Sequence, residues 1–207
     1  DRLGMSTRNV QYLAEKGDLV QVVRGFVDEL SIERMLAVRG DSHVRAWSES
    51  TAWGAISLLS GEQADWMGNR QRSRLRARLR EISAENLVER ARGRAVVTRY
   101  RAHSSAHRYL SAEVVRSDNV AGHLGLAETN RVDGYLSTES LDDVISRHGL
   151  VSDVRGDVTL RATSMDMSLV RDLAGRGVVL AAIDLAESLD VRERRAGLDG
   201  LDRALEA

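Results

Sequence analysis

Apolar residues along the chain recur mostly at helical spacing, with short alternating stretches between them. Val10, Leu13 and Ala14 share one face of a helix. Ser6 is placed to cap its start, Lys16 suits its last turn, and Gly17 suits the left-handed stop. Residues 19–27 alternate loosely, which predicts a short hairpin turning near Arg24-Gly25. Ile32, Met35 and Leu36 predict a helix over 31–40, followed by a loop with His43 and Arg45. Trp53, Ile56 and Leu59 form one stripe of a helix over 47–59 that Ser60-Gly61 breaks. A short helix over 62–67, a turn at Gly68-Asn69 and a longer helix over 70–82 come next. Leu75, Leu79 and Ile82 form the inner face of that longer helix.

Beyond it, Leu87-Val88 and residues 95–100 alternate as two strands around Arg92-Gly93-Arg94. Residues 104–124 read as mostly helical. Ser137 or Thr138 starts a helix that runs to His148 and stops at Gly149. Residues 157–162 alternate as a strand, and 164–174 form a short helix stopped by Gly175. The β-branched run over 178–183 reads as a buried strand. A helix over 190–205 closes the chain. The expected fold class is α+β: helix-turn-helix modules with wings, then a small mixed α/β domain. The expected parts are 1–45, 46–108 and 109–207.

Composition narrows the function classes. The 207 residues are 43% hydrophobic and 29% charged, ordinary for a globular chain. No apolar run approaches the ~18–20 residues that span a bilayer, and the start of the chain has no signal-peptide core. A cytoplasmic protein is therefore expected. Cys is absent, which excludes disulfide scaffolds, thiol catalysis and cysteine zinc sites. Pro is also absent, and nothing in the sequence explains it. Lys16 is the single lysine among 30 basic residues.

Charge is unevenly placed. Residues 1–65 carry 7 basic and 10 acidic groups, 66–108 carry 12 and 3, and 109–207 carry 11 and 18. A phosphate backbone is the commonest partner for such a basic stretch. On the 70–82 helix, Arg72, Arg76 and Arg80 flank the apolar face on one side, and Arg74 and Arg78 flank it on the other. Uncompensated like charges at i, i+4 cost a few tenths of a kcal/mol each, and an anion would relieve that cost. A solvated face or an acidic protein partner is the alternative. Arg70 and Ser73 belong to the same surface, and Arg92 and Arg94 repeat the theme at the expected wing tip. Arginine grips a phosphate or a guanine edge bidentately. On the first helix, Thr7, Arg8, Asn9, Gln11 and Tyr12 face away from the apolar stripe and can read base edges, with Arg24 in the hairpin beside them.

Other constellations are weaker. His103 and His107 have metal-ligand spacing on a helix, but no third ligand is visible; flanking a helix start is the commoner role. Asp184, Glu187 and Asp190 follow the expected buried strand, where carboxylates can hold Mg2+ in nucleases. A helix cap at Asp190 and an arginine or backbone partner for Asp184 are the commoner roles. No catalytic triad order, phosphate loop or dinucleotide fingerprint is present. No cofactor, no metal and no enzymatic activity are expected.

The segment Leu-Gly-x-Ser-x-Arg-x-Val-x-x-Leu from Leu3 to Leu13, then Gly17-Asp18-Leu19 and Arg24-Gly25, resembles the excisionase and MerR-type DNA-binding helix. That resemblance implies a further helix ahead of Leu3, of which Asp1-Arg2-Leu3 is the tail, so the natural N-terminus is expected upstream. Leu75-x3-Leu79-x2-Ile82 followed by Asn86-Leu87-Val88 resembles the winged helices of bacterial regulators. Leu180-Ala-Ala-Ile-Asp-Leu-Ala186, with Gly197-Leu198-x2-Leu201-x3-Leu205, resembles the end of abortive-infection-type (type IV) antitoxins. It implies a repressor of its own operon that neutralises a nucleotidyltransferase-like toxin by direct binding. The expected partners are double-stranded DNA and that toxin or a second copy of the chain, without a membrane. The alternatives are a stand-alone winged-helix transcription factor with a dimerising or ligand-sensing tail, and, more remotely, a metal-dependent nuclease.

Overall fold

The computed structural model describes residues 6–15, 19, 21–23, 25–29, 31–32, 44–117 and 131–207. Helix α1 (Thr7–Glu15) is followed by the two-stranded hairpin β1 (Gln21–Val23) and β2 (Phe26–Val27). The Ser6 carbonyl accepts the first helical bond, from the Val10 N–H at 3.1 Å. Gly25 turns the hairpin at φ +89°, a backbone conformation that glycine adopts without steric cost. Leu13 and Leu19 form a small cluster with Val10, Ala14, Val27 and Ile32. Ser31 and Ile32 are helical as expected. Lys16, Gly17, Arg24, His43 and residues 33–40 lie outside the described residues.

Three helices come next: α2 (Glu49–Leu59), α3 (Asn69–Leu79) and α4 (Ala84–Ala91). Residues 62–67 form turns instead of the expected helix. Leu87 and Val88 are helical, not a strand. The Ser83 hydroxyl accepts from the Asn86 N–H at 3.3 Å and caps α4, and both apolar residues are buried inward. Arg92–Arg94 is a 3-10 turn. It packs so closely that a Cβ on Gly93 would sit 2.2 Å from the Trp47 carbonyl oxygen. No hairpin therefore closes around it, and the expected wing is not formed there.

The main sheet has strand order β4-β6-β3-β5, made of β3 (Val96–Arg101), β4 (Val132–Ser137), β5 (Val151–Ser152) and β6 (Val158–Thr163). β4 runs parallel to β6; β3 is antiparallel to both β6 and β5. Helix α5 (His107–Glu113) precedes β4, and α6 (Leu141–His148) carries the crossover to β6. Gly149, at φ +58°, ends α6 as expected. The expected helix over 104–124 is shorter: Val114 and Val115 are extended, with Val115 bridging Tyr135, and 118–124 lie outside the described residues. One sheet face packs Tyr100, Val132, Leu136, Val158 and Leu160 against Leu110, Val114 and Val144. The other face presents Asp133, Tyr135, Thr159, Arg161 and Thr163.

That second face meets α7 (Met167–Arg176), α8 (Val178–Ala186) and α9 (Val191–Glu206). Helix α7 runs through Gly175 and ends at Gly177. The run expected as a buried strand is α8. It is apolar nearly all round because α2, α4, α7 and α9 cover it. The principal core joins Trp53, Ile56 and Leu75 to Leu87, Tyr135, Leu173, Leu180 and Leu201. The boundary expected at residue 108 falls inside this shared core, and β3 lies in the same sheet as β4 and β6. Among the described residues no helix is long and apolar enough to cross a membrane.

Candidate nucleic-acid interface

Helix α3 starts where Gln71 Oε1 accepts from the Gly68 N–H at 3.3 Å. Its inner face is set by Leu75 and Leu79, both buried. A Cβ on Gly54 would lie 3.4 Å from Leu75 Cδ2, so α2 and α3 approach closely at this glycine. Most other positions of α3 face solvent. Arg70, Ser73, Arg74, Arg76, Ala77, Arg78 and the capping Arg80 are exposed. Arg72 is half-buried and committed: its Nη1 donates to Asp65 Oδ1 at 2.7 Å and its Nη2 to Asn69 Oδ1. Arg76 Nη2 makes one long bond to Gln63 Oε1 at 3.4 Å. Among the described residues, the side chains of Arg70, Arg74, Arg78 and Arg80 have no hydrogen-bond or ion-pair partner. Helix α3 thus holds an exposed cationic surface whose charge the protein leaves uncompensated.

Helix α4 follows α3 after a short turn, but it brings no matching cationic face. Glu85 is exposed, Glu89 is buried, and the Arg90 guanidinium lies 5.8 Å over the Trp47 ring. No protein-family model matches the chain, and no curated protein or solved structure is significantly similar to it. The geometry therefore carries the reading.

Arg94 is the main correction to the expected site. It is 1% exposed and turned away from any external phosphate. Its Nε donates to Tyr135 Oη at 2.8 Å, and its Nη1 to Glu187 Oε1 at 2.6 Å and the Ala91 carbonyl at 3.3 Å. Its Nη2 donates to Asp184 Oδ1 at 2.6 Å and Glu187 Oε2 at 2.8 Å. All five guanidinium hydrogens are thereby used. Arg161 completes the cluster through Asp133, at 2.7 and 3.0 Å, and Glu187 Oε2, at 2.7 Å. Tyr135 and Ser117 each donate to Asp184 at 2.5 Å. Burial alone would lower the Arg94 pKa, but Glu187, Tyr135 and Asp184 raise it well above its ordinary value. Burial likewise pushes Glu187 up, yet Arg94 and Arg161 bring it from 4.5 down to about 2. Burial and Asp184 raise Tyr135 well above 10, against the opposing pull of Arg94, so the phenol keeps its proton and donates it.

The other candidates are placed as follows. All four oxygens of Asp184 and Glu187 accept bonds from protein donors, and Asp190 caps α9 by accepting from the Arg192 and Glu193 N–H groups at 2.8 and 3.0 Å. His103 caps a 3-10 turn, and His107 opens α5 and meets Asp157 at 2.9 Å. Among the described residues no group of three His, Cys, Asp or Glu side chains is placed to hold a metal ion. Arg92 is half-buried. Thr7, Arg8 and Gln11 are exposed on α1. Asn9 and Tyr12 lie in α1, but their side chains, like Arg24, fall outside the described residues. Arg78 and Arg80, marked by helical spacing alone, belong to the cationic face as fully as Arg74. No local pattern of spacing or charge marks Tyr135, Arg161 or Ser117.

Proposed function

We propose that this chain is a DNA-binding transcriptional regulator of antitoxin type. The exposed, uncompensated arginine face of α3 is the observation that carries the reading. In it, α3 holds double-stranded DNA, and the α1–hairpin unit acts as the helix-turn-helix module that its sequence resembles. The acidic second half binds a nucleotidyltransferase-like toxin, whose RNA-handling surface is basic and so complementary in charge, or pairs with a second copy of the chain. The chain then represses its own operon and neutralises the toxin by direct binding. Commitment of the Asp184 and Glu187 oxygens to arginine, tyrosine and serine favours this regulator over the nuclease alternative.

The test joins two measurements on the full chain. It should retard DNA from upstream of its gene, and the Arg70→Ala/Arg74→Ala/Arg78→Ala variant should lose most of that binding. It should also co-purify with the product of the neighbouring gene at fixed stoichiometry. Undiminished DNA binding by the folded variant removes α3 from the reading. DNA binding without a co-purifying partner favours the stand-alone factor.

A further inference from the structure

Helix α3 sorts its arginines by direction. Seven positions are nearly two helical turns, so Arg70 shares a column with Ala77, and Ser73 shares one with Arg80. Both columns lie opposite the buried Leu75 and Leu79 and form the crest of the exposed face. Arg80, the C-cap, keeps helical backbone angles (φ −74°, ψ −16°) and so stays in its column. Arg74 and Arg78 stand on one flank of the crest, and Arg76 on the other. Arg72 lies nearer the core and is held by Asp65 and Asn69.

A helix about 10–12 Å across enters a major groove about 12 Å wide. Its flanks then face the two phosphate rows, and its crest faces the base edges. The crest carries an arginine near each end, with the small Ser73 and Ala77 between them. The small pair lets the helix approach, and the long arginines reach the groove floor. Among the described residues neither guanidinium has a partner in the protein, so both planar forks are free. The fork matches O6 and N7 of guanine, an acceptor pair that no other base presents in that groove. Ten residues at a rise of 1.5 Å separate the two arginines by about 15 Å along the axis, or about four base steps of 3.4 Å.

Resting on the DNA-binding reading above, we infer that Arg70 and Arg80 read two guanines about four base steps apart in the major groove of B-form DNA. Arg74, Arg76 and Arg78 hold the phosphates on either side. A-form RNA has a major groove too narrow for the helix, so the occupant is DNA.

The test uses the full chain to select from a randomised DNA duplex library. It then titrates the selected duplex, an unrelated duplex, and versions of the selected duplex with 7-deazaguanine at one position. The selected sequences should share two guanines about four steps apart. Arg70→Ala should weaken binding to the selected duplex by roughly 5- to 150-fold and erase the preference at one guanine. Arg80→Ala should do the same at the other. Removing N7 from one guanine should weaken the wild type and leave the variant that lacks the matching arginine unchanged. Arg74→Ala should instead weaken every duplex alike and flatten the slope of log K against log salt by roughly one unit. Circular dichroism confirms that the variants are folded. Selected sequences without the guanine pair, or a preference that survives both alanine variants, overturn the base-reading role and leave DNA binding standing. Salt-dependent binding with no enriched sequence has the same meaning. Absence of salt-dependent binding to any duplex overturns the DNA-binding reading itself.

Discussion

Arg92 and Arg94 are two residues apart and chemically identical, yet only Arg94 is sealed inside the protein. Its fate is set by Asp184 and Glu187, which lie 90 and 93 residues away. Local sequence holds no trace of them, so a spacing argument places both arginines at one wing tip. Arg94→Met should cost about 3–5 kcal/mol, because two carboxylates stay buried without their cation; urea unfolding measures it. The pH dependence follows from Glu187. Its folded pKa of about 2 lies below the ordinary 4.5, so its stabilisation is complete above pH 4.5. It is lost as pH falls toward 2 and amounts to about 3 kcal/mol in total. The unfolding midpoint should hold steady above pH 5 and drop below it, and Glu187→Gln should flatten that drop. The arginines of α3 were legible for the opposite reason: a one-helix pattern fixes both the apolar face and its exposed complement.

At the scale of elements, termini were more legible than element types. Gly149 and Asp190 act locally, and each ends or starts its helix where expected. Helix α8 and the Leu87-Val88 turn of α4 look like strands in the sequence, because a short apolar run buried on all sides has no polar face to show its period. β4 leaves no strand signal in the sequence because Gly134 breaks its alternation. The glycine is required: a Cβ there would lie 2.5 Å from Val114 Cγ2. Gly197 has a similar role between α8 and α9, where a Cβ would lie 2.4 Å from the Ala186 nitrogen and 2.5 Å from the Ala182 oxygen. Gly197→Ala must push the two helices apart and should cost about 1–3 kcal/mol. Gly175, inside α7, has nothing within 4 Å of its Cβ position. Gly175→Ala should instead stabilise by about 0.5–1 kcal/mol. Thermal melts of the two variants should shift in opposite directions.

For the whole molecule, charge suggested two independent halves, a basic one ending at 108 and an acidic one after it. Packing joins them: Trp53 meets Tyr135 edge-on at 5.4 Å, and β3 pairs with β6 along five residues. Hydrophobic content alone does not say which segments share a core, so composition could not reveal this. Residues 46–108 and 109–207, expressed separately, should each lack a cooperative unfolding transition, whereas 46–207 should unfold in one step; dispersed amide resonances from either fragment would refute the shared core. The bond from Arg94 to Asp184 also has a consequence in time. At roughly 5–20 residues per second, about 5–20 seconds separate the two residues during synthesis. Through that interval Arg94 has no carboxylate partner from the second half of the chain. Arrival of Asp184 and Glu187 takes Arg94 into the core and leaves the arginines of α3 outside it.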